Sequence, residues 1–313
     1  MSSKFNFDLY RINIQDIDDF FYSKDAKRIR KDEHILSILS EACKPSFDVL
    51  QETRSAIYMW SIRGFSYFKN LPTRELSTII LARSTLEKDG YIVTDDGLSP
   101  ASSSASPPLA SSMTIIFDIA RHLVAVEHTG ELSQTAWKDF LEKILEESSL
   151  TLGHSSRIEL EPVPSNEEII NLFRSFDRIT RLKLTLRIPN PELTRYTLDL
   201  FEDLKQSNLR EYTQDMRNPN GISKSENARP FASAALADQG YKKGEVLIEG
   251  NRDGVLEKIQ SGDTAARGSI PRLKDFIRGL SANTKTKEAE KIISAIIAEI
   301  DRIHPRDDLS NES

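Results

Sequence analysis

The chain has 313 residues, 38% of them hydrophobic and 29% charged, which is enough to bury an ordinary core and excludes a disordered chain. Its formal net charge of -6 argues against a general nucleic-acid or membrane binder but leaves room for a local basic patch. The one cysteine, Cys43, excludes an intramolecular disulfide and fits a reducing cytoplasm. No apolar run approaches the roughly 20 residues that span a bilayer, and the first residues lack a signal-peptide pattern. We therefore expect a cytoplasmic protein without membrane insertion.

The first predicted region covers residues 1–150 and begins with a strand, Phe5 to Ile14. The alternation of apolar residues slips at Tyr10-Arg11, which predicts a β-bulge there. Further on, the Ser-, Ala- and Pro-rich segment from Leu98 to Ser112 predicts a mobile surface loop. Strand candidates flank it, so the segment could also be a long excursion between strands of one sheet.

The second predicted region covers residues 151–313 and contains the clearest strand, Arg181 to Ile188. Leu182, Leu184 and Leu186 alternate with charged residues there, so one face should be buried. An earlier strand, Arg157 to Glu161, is followed by a helix that begins at the capping box Ser165 to Glu168. Strand, helix and strand in this order predict a β-α-β unit with parallel strands.

The last elements are a hairpin of two strands, Glu245 to Glu249 and Val255 to Ile259, and a long amphipathic helix, Lys285 to Ile303. Together with the helix predicted around Trp137, these patterns predict an α+β fold. We expect mixed sheets with packed amphipathic helices.

The solvent face of the strand Arg181 to Ile188 carries Arg181, Lys183 and Arg187. These cations could contact phosphates. The predicted neighbouring strands carry Glu159, Glu161, Glu245 and Glu249 with the alternation needed to oppose them, so we favour a salt-bridge ladder over a binding face.

A second group of cations follows in two glycine-containing segments, Gly240 to Gly254 and Ser261 to Gly279. Small residues let backbone N–H groups approach an anion, and arginine can fork onto phosphate oxygens. The segments match no phosphate-loop pattern, so a solvated loop with scattered charge is the simpler alternative. The candidate nucleic-acid contacts are Lys242, Lys243, Arg252, Arg267, Arg272, Lys274 and Arg278.

The sequence gives little indication of metal binding or of catalysis. The histidines have no metal-ligand spacing, and a ligand pair of His122 and His128 would need one strand through both. No Ser, Cys or His constellation for nucleophilic catalysis is present. The sequence predicts no catalytic residue, no metal site and no cofactor.

The order of elements from about Met113 to Leu280 resembles that of the RexA-type phage-exclusion proteins. The matching features are RIELEPV (Arg157 to Val163), a polar helix, and RLKLTLRIPNPE (Arg181 to Glu192) running into a helix. The stretch ALADQGYKKGEVLIEGNRDG (Ala235 to Gly254) also resembles an uncharacterised bacterial family of similar layout. The resemblance implies a cytoplasmic DNA-binding component of antiviral defence that works with a protein partner and forms homodimers.

The leading hypothesis is therefore a non-enzymatic protein of prokaryotic or phage defence that binds or senses DNA or RNA. One alternative is an effector enzyme, such as a metal-dependent nuclease. Another is a protein-binding module that uses the Ile-rich final helix as its contact.

Overall fold

A computed structural model describes residues 4–16, 32–69, 74–95, 97–132, 134–165, 168–187, 197–207, 209 and 211–305. These residues form thirteen strands and seven α-helices, and every strand pairs antiparallel with its neighbours. The predicted α+β class is confirmed. Among the helices of these ranges, none is long and apolar enough to cross a membrane.

The first sheet has nine strands in the order β13-β1-β7-β6-β4-β3-β2, with β8 paired to β1 and β5 paired to β4. Its strands are β1 (Phe5–Asp16), β2 (Val49–Glu52), β3 (Ala56–Phe68), β4 (Leu76–Thr94), β5 (Gly97–Ser104), β6 (Ala110–Asp118), β7 (Leu123–Glu127), β8 (Ser156–Pro162) and β13 (Arg267–Ile270). The sheets therefore do not divide at residue 150, because β8 and β13 complete the sheet that β1 begins.

The second sheet has four strands in the order β10-β9-β11-β12. They are β9 (Arg178–Arg187), β10 (Glu211–Arg217), β11 (Val246–Arg252) and β12 (Val255–Ser261). The predicted hairpin is β11 and β12. The predicted parallel β-α-β unit is wrong, because β8 pairs with β1 while β9 pairs with β10 and β11 in the other sheet. The strands face separate cores, so the helix between them links two sheets instead of crossing one.

Helices cover both faces of the first sheet and one face of the second. They are α1 (Asp32–Glu41), α2 (Gln134–Thr151), α3 (Glu168–Ser175), α4 (Leu198–Gln206), α5 (Arg229–Asp238), α6 (Lys274–Arg278) and α7 (Thr286–Ile303). Helices α1 and α2 pack on one face of the first sheet, and α7 packs on the other. Helices α3, α4 and α5 form the core of the second sheet. One half of the capping box at the start of α3 is present, since Ser165 N donates to Glu168 Oε2 at 3.3 Å, while Glu168 N donates to the Ser165 backbone carbonyl at 2.8 Å.

Strand β1 corrects the predicted bulge. Its pairing with β7, β8 and β13 runs without a register shift. Phe5, Phe7 and Leu9 enter the core under α7, whereas Tyr10 and Ile12 enter the core under α1 and α2. The apolar pattern changes phase because both faces of this strand are buried.

The Ile-rich face of α7 is an internal contact. Ile292, Ile293, Ile296 and Ile300 are buried against the first sheet. The alternative in which this face binds a protein partner is therefore wrong, because its apolar surface is already covered.

The segment from 98 to 112 belongs largely to strands β5 and β6, which corrects the predicted loop. It forms the predicted excursion within one sheet: β5 pairs with the outer half of β4 from Glu87–Ser104 to Thr94–Gly97. The mobility of this exposed segment stays a prediction.

Arg11 of β1 connects the two sheets. The side chain is fully buried, with Nε donating to the Gln239 carbonyl at 2.6 Å and Nη1 donating to the Arg121 carbonyl at 2.9 Å. Nη1 also donates to the Tyr241 hydroxyl at 2.8 Å, and Nη2 lies 3.3 Å from His304 Nε2. One guanidinium therefore holds β1, the end of α5 and the end of α7 together.

Candidate functional site

Lys242 is the one predicted contact that lies in the interior. Its side chain is 0% exposed, and Nζ donates to the Gly244 carbonyl at 3.0 Å. Burial lowers the pKa of this ammonium group, against the opposing charges of Glu161 and Asp263. Because its charge faces the interior, Lys242 is no longer a candidate contact for a phosphate.

Lys243 lies three residues before β11, and Arg252 is the last residue of that strand. Lys243 Nζ is 3.6 Å from Glu211, and Arg252 Nη1 is 3.7 Å from Glu257. A strand of this length separates them by roughly 20 Å. The two cations therefore do not form one patch.

Glycines in these segments serve packing. At Gly250, where β11 and β9 shift register, an added Cβ would lie 2.1 Å from the Arg178 carbonyl oxygen. At Gly262, it would lie 3.0 Å from both Ile169 and Lys242. At these two positions, therefore, glycine lets two segments of the chain approach each other closely. It does not serve the anion binding that was expected from the sequence.

Arg267, Lys274 and Arg278 surround two buried carboxylates at the edge of the first sheet. Arg267 Nε is 3.0 Å from Asp8, while Arg278 Nη2 and Lys274 Nζ are 2.7 Å and 4.0 Å from Glu127. The Asp8 and Glu127 side chains are only 8% and 1% exposed, whereas the three cations are 34–58% exposed. The buried carboxylates hold the three cations in place, and the exposed Asp275 adds one negative charge beside Lys274 on the same short helix.

Arg272 and Phe276 complete this surface. Arg272 lies in the turn between β13 and α6, is exposed, adopts a left-handed backbone with φ 63° and forms no ion pair with the described residues. Such backbone conformations in non-glycine residues concentrate at functional sites. The Phe276 side chain is 53% exposed and lies on the side of α6 away from Lys274 and Arg278, because residues two apart on a helix are about 200° apart around its axis. We call Arg272, Lys274, Phe276 and Arg278 the α6 surface.

Phe276 was not among the predicted contacts. The spacing of Leu273, Ile277 and Leu280 is the signal that could have identified it, because these residues take the buried side of the segment and leave Phe276 at the surface.

The basic face of β9 is mostly neutralised, as predicted. Arg181 Nε is 2.8 Å from Asp215, and Arg181 Nη1 is 3.1 Å from Glu249. Lys183 is exposed and forms no ion pair within the described part of the chain. The second sheet therefore presents one unneutralised cation from the predicted set.

Arg187 corrects the prediction of a solvent-facing cation, because its side chain is 1% exposed. It contacts Glu159 and lies 2.8 Å from Glu211 and 3.9 Å from Glu161. Glu159 and Glu161 come from the first sheet, so these ion pairs join the sheets instead of forming a ladder within one. Glu245 forms no ion pair with the described residues.

A half-buried charged cluster lies beside Arg187, between α2 and β8. Glu142 Oε1 accepts from the Leu160 backbone N–H at 2.6 Å and lies 3.8 Å from Lys138. Burial raises the pKa of the Glu142 carboxyl to about 7, against the Leu160 hydrogen bond and Lys138. Burial also raises the pKa of Glu161.

The Glu142 carboxyl gives a pH prediction. Its pKa in the folded protein lies above the ordinary value of 4.5, so the folded state holds this proton more tightly. Stability should therefore fall as pH rises from about 4.5 to about 7. Glu142→Gln keeps an acceptor for Leu160 and should raise the free energy of unfolding at pH 8 by on the order of 2 kcal/mol, with little change at pH 4. Urea titrations at both pH values measure this, with the half-exposed Glu147→Gln as the matched control.

If Glu142→Gln changes the free energy of unfolding by the same amount at both pH values, the protonation state assigned to Glu142 is wrong. A similar gain from Glu147→Gln would indicate a general charge effect.

No three His, Cys, Asp or Glu side chains are placed to hold a metal ion in the ranges that the structure describes. Of the histidine pair considered from the sequence, His128 Nδ1 instead lies 3.1 Å from Asp8 Oδ2.

The family model of a domain of unknown function (DUF4747) matches residues 108–295, which is more than half of the chain. The chain belongs to the DUF4747 family. The DUF4747 match runs from the start of β6 into α7 and includes the whole second sheet and the α6 surface. No curated protein matches the chain.

Proposed function

We propose that the chain binds single-stranded nucleic acid, DNA or RNA, through the α6 surface. The observation that carries the proposal is the exposed Phe276 ring on the short helix that also carries Lys274 and Arg278, four residues after Arg272, which forms no ion pair with the described residues. Exposed aromatic rings among cations are the usual means of binding single strands, because bases stack on the ring while the cations follow the phosphates.

The charge arrangement supports a local site on an acidic protein. Glu127 is shared by two cations, Lys274 and Arg278, and Arg272 adds a charge that forms no ion pair within the described part of the chain. Few phosphates can be neutralised by so small a patch, so most of the affinity should come from stacking. A duplex keeps its bases stacked on each other, which favours a single strand as the ligand.

The biological role proposed with this activity is that of a non-enzymatic, cytoplasmic component of prokaryotic or phage antiviral defence. The support for this role is the sequence resemblance around RIELEPV and RLKLTLRIPNPE, and it includes a protein partner.

The test is fluorescence anisotropy with labelled oligothymidine, oligouridine and a duplex at several salt concentrations. Phe276→Ala should weaken binding of single strands roughly 5- to 150-fold, since one base–aromatic stack contributes about 1–3 kcal/mol. Arg272→Ala should lower the slope of log affinity against log salt by about one unit.

The matched controls lie on the second sheet. Leu256 of β12 is a large apolar residue that is 74% exposed, and Lys183 of β9 is an exposed cation without an ion pair among the described residues. Leu256→Ala and Lys183→Ala should bind like the parent chain. Binding that is absent at low salt, or that is unchanged in Phe276→Ala, would contradict the proposal.

A further inference from the structure

The outer half of β4 and its partner β5 project beyond the rest of the first sheet. Strand β3 pairs with β4 only as far as Ala56 opposite Lys88, so among the described strands Gly90–Thr94 pairs with β5 alone. In this projecting arm, the exposed fractions are 71% for Tyr91, 54% for Ile92 and 85% for Val93. A two-stranded ribbon with exposed apolar residues is marginally stable by itself, and a further strand would stabilise it.

The pairing register of β4 determines which edge of the arm each backbone N–H and C=O group faces. The Asp89 N–H points toward β3, where it donates to the Ser55 carbonyl at 2.8 Å. Backbone groups alternate between the two edges along a strand, so Tyr91 and Val93 present their N–H and C=O groups on the same edge. No described strand covers that edge beyond Lys88, and its residues carry no charge and no proline, which makes it a template for strand pairing.

The other edge of the arm is less suited to pairing. Pro100 of β5 lies opposite Tyr91, and proline has no backbone N–H to offer. A strand that docks on the arm should therefore add to β4 and not to β5.

We propose that the β4 edge of the arm pairs with the same edge of a second copy of this chain, antiparallel and around a two-fold axis at Ile92. In this register Tyr91 lies opposite Val93 of the second copy, and the two residues exchange N–H to carbonyl hydrogen bonds. Ile92 then lies opposite Ile92 of the second copy. A pairing centred on Tyr91 would instead place Val93 opposite Asp89, whose N–H already bonds to Ser55.

Side chains favour a second copy as the occupant. Gly90–Thr94 is uncharged, so the paired strands themselves bring no charges together; at each end of the pairing Asp89 lies opposite Asp95 of the other copy, so dimerisation should strengthen as salt screens this repulsion. The cross-strand pair of Tyr91 and Val93 joins an aromatic with a β-branched residue, a favourable combination. The turn residue Asp95 of the second copy would approach the turn before β3, where Arg54 is exposed. The proposal is independent of the nucleic-acid site, because the arm and α6 lie on different elements.

Sedimentation velocity over a concentration series tests the proposal with two matched proline variants. Val93 and Leu98 are directly opposite each other in the arm, and the N–H of each points away from the ribbon. Val93→Pro removes a donor from the β4 edge, whereas Leu98→Pro places the same strain on the β5 edge. The parent chain and Leu98→Pro should dimerise with increasing concentration, and Val93→Pro should dimerise roughly tenfold more weakly or worse.

Disulfide trapping tests the register. In a Cys43→Ser background, Ile92→Cys should form a covalent dimer on mild oxidation, because opposed residues of a non-hydrogen-bonded pair lie about 4.5 Å apart at Cα, within disulfide range. Leu98→Cys on the other strand should not form one. A chain that stays monomeric up to about 100 µM, well above the micromolar range of weak specific pairs, would overturn the proposal, as would equal dimerisation of the two proline variants.

Discussion

Replacing Arg11 with methionine should lower the free energy of unfolding by about 3–5 kcal/mol, because several buried acceptors would lose their charged donor at once. The Gln239 and Arg121 carbonyls and the Tyr241 hydroxyl all accept from this guanidinium. The guanidinium also lies 4.1 Å from the centre of the Tyr241 ring, so a cation–π contact would be lost as well.

The control for Arg11→Met is Arg157→Met on β8, where the arginine side chain is 55% exposed and pairs with Glu159 at 2.9 Å. An exposed ion pair of this kind should contribute at most about 1 kcal/mol. Thermal and urea unfolding monitored by circular dichroism measure both variants. Equal losses would contradict the role of Arg11 as the connection between the sheets.

Leu184→Ala is expected to cost about 2–5 kcal/mol, because the truncated side chain leaves a cavity in a close-packed core. Leu184 is 2% exposed and lies in the core that α3, α4 and α5 form on the second sheet. Its neighbour Lys183 points to the opposite, solvent-exposed face.

Lys183→Ala should therefore change stability by less than about 0.5 kcal/mol, as an exposed substitution away from ion pairs. Urea titration of the two variants compares adjacent residues on the same strand. Comparable losses would show that the two faces of β9 had been assigned the wrong way round.

Local patterns in the sequence were sufficient for several elements of the fold. The capping box at Ser165 predicted the start of α3, the alternation of leucines predicted the faces of β9, and the isoleucine spacing predicted α7. Each of these signals depends only on neighbours along the chain.

Features that depend on contacts between residues far apart in the sequence could not be predicted from local patterns. The partner of β8 is β1, about 150 residues earlier, and no local pattern specifies that choice over a parallel pairing with β9. The change of phase in β1 has two explanations in the sequence, a bulge or burial of both faces, and only the placement of α7 and α2 decides between them.

Some features of the candidate site could likewise be predicted from the local sequence, and others could not. Arg272, Lys274 and Arg278 are exposed or half-exposed, as a charged loop segment predicts, whereas Lys242 is buried by chain segments that lie far from it in sequence. Burying a lysine side chain costs free energy, so the sequence alone favours an exposed position for Lys242. The carboxylates of Asp8 and Glu127 that hold the cations come from β1 and β7, which no local pattern connects to α6.

The most direct measurement of the central claim is photo-crosslinking of a single-stranded oligonucleotide that carries 4-thiothymidine, followed by mass spectrometry of the digested protein. The proposed site predicts that the main crosslink falls on the peptide that contains Phe276, and that Phe276→Ala removes it. Crosslinks concentrated instead on the exposed face of the second sheet, around Arg181 and Lys183, would contradict the assignment of nucleic-acid binding to the α6 surface.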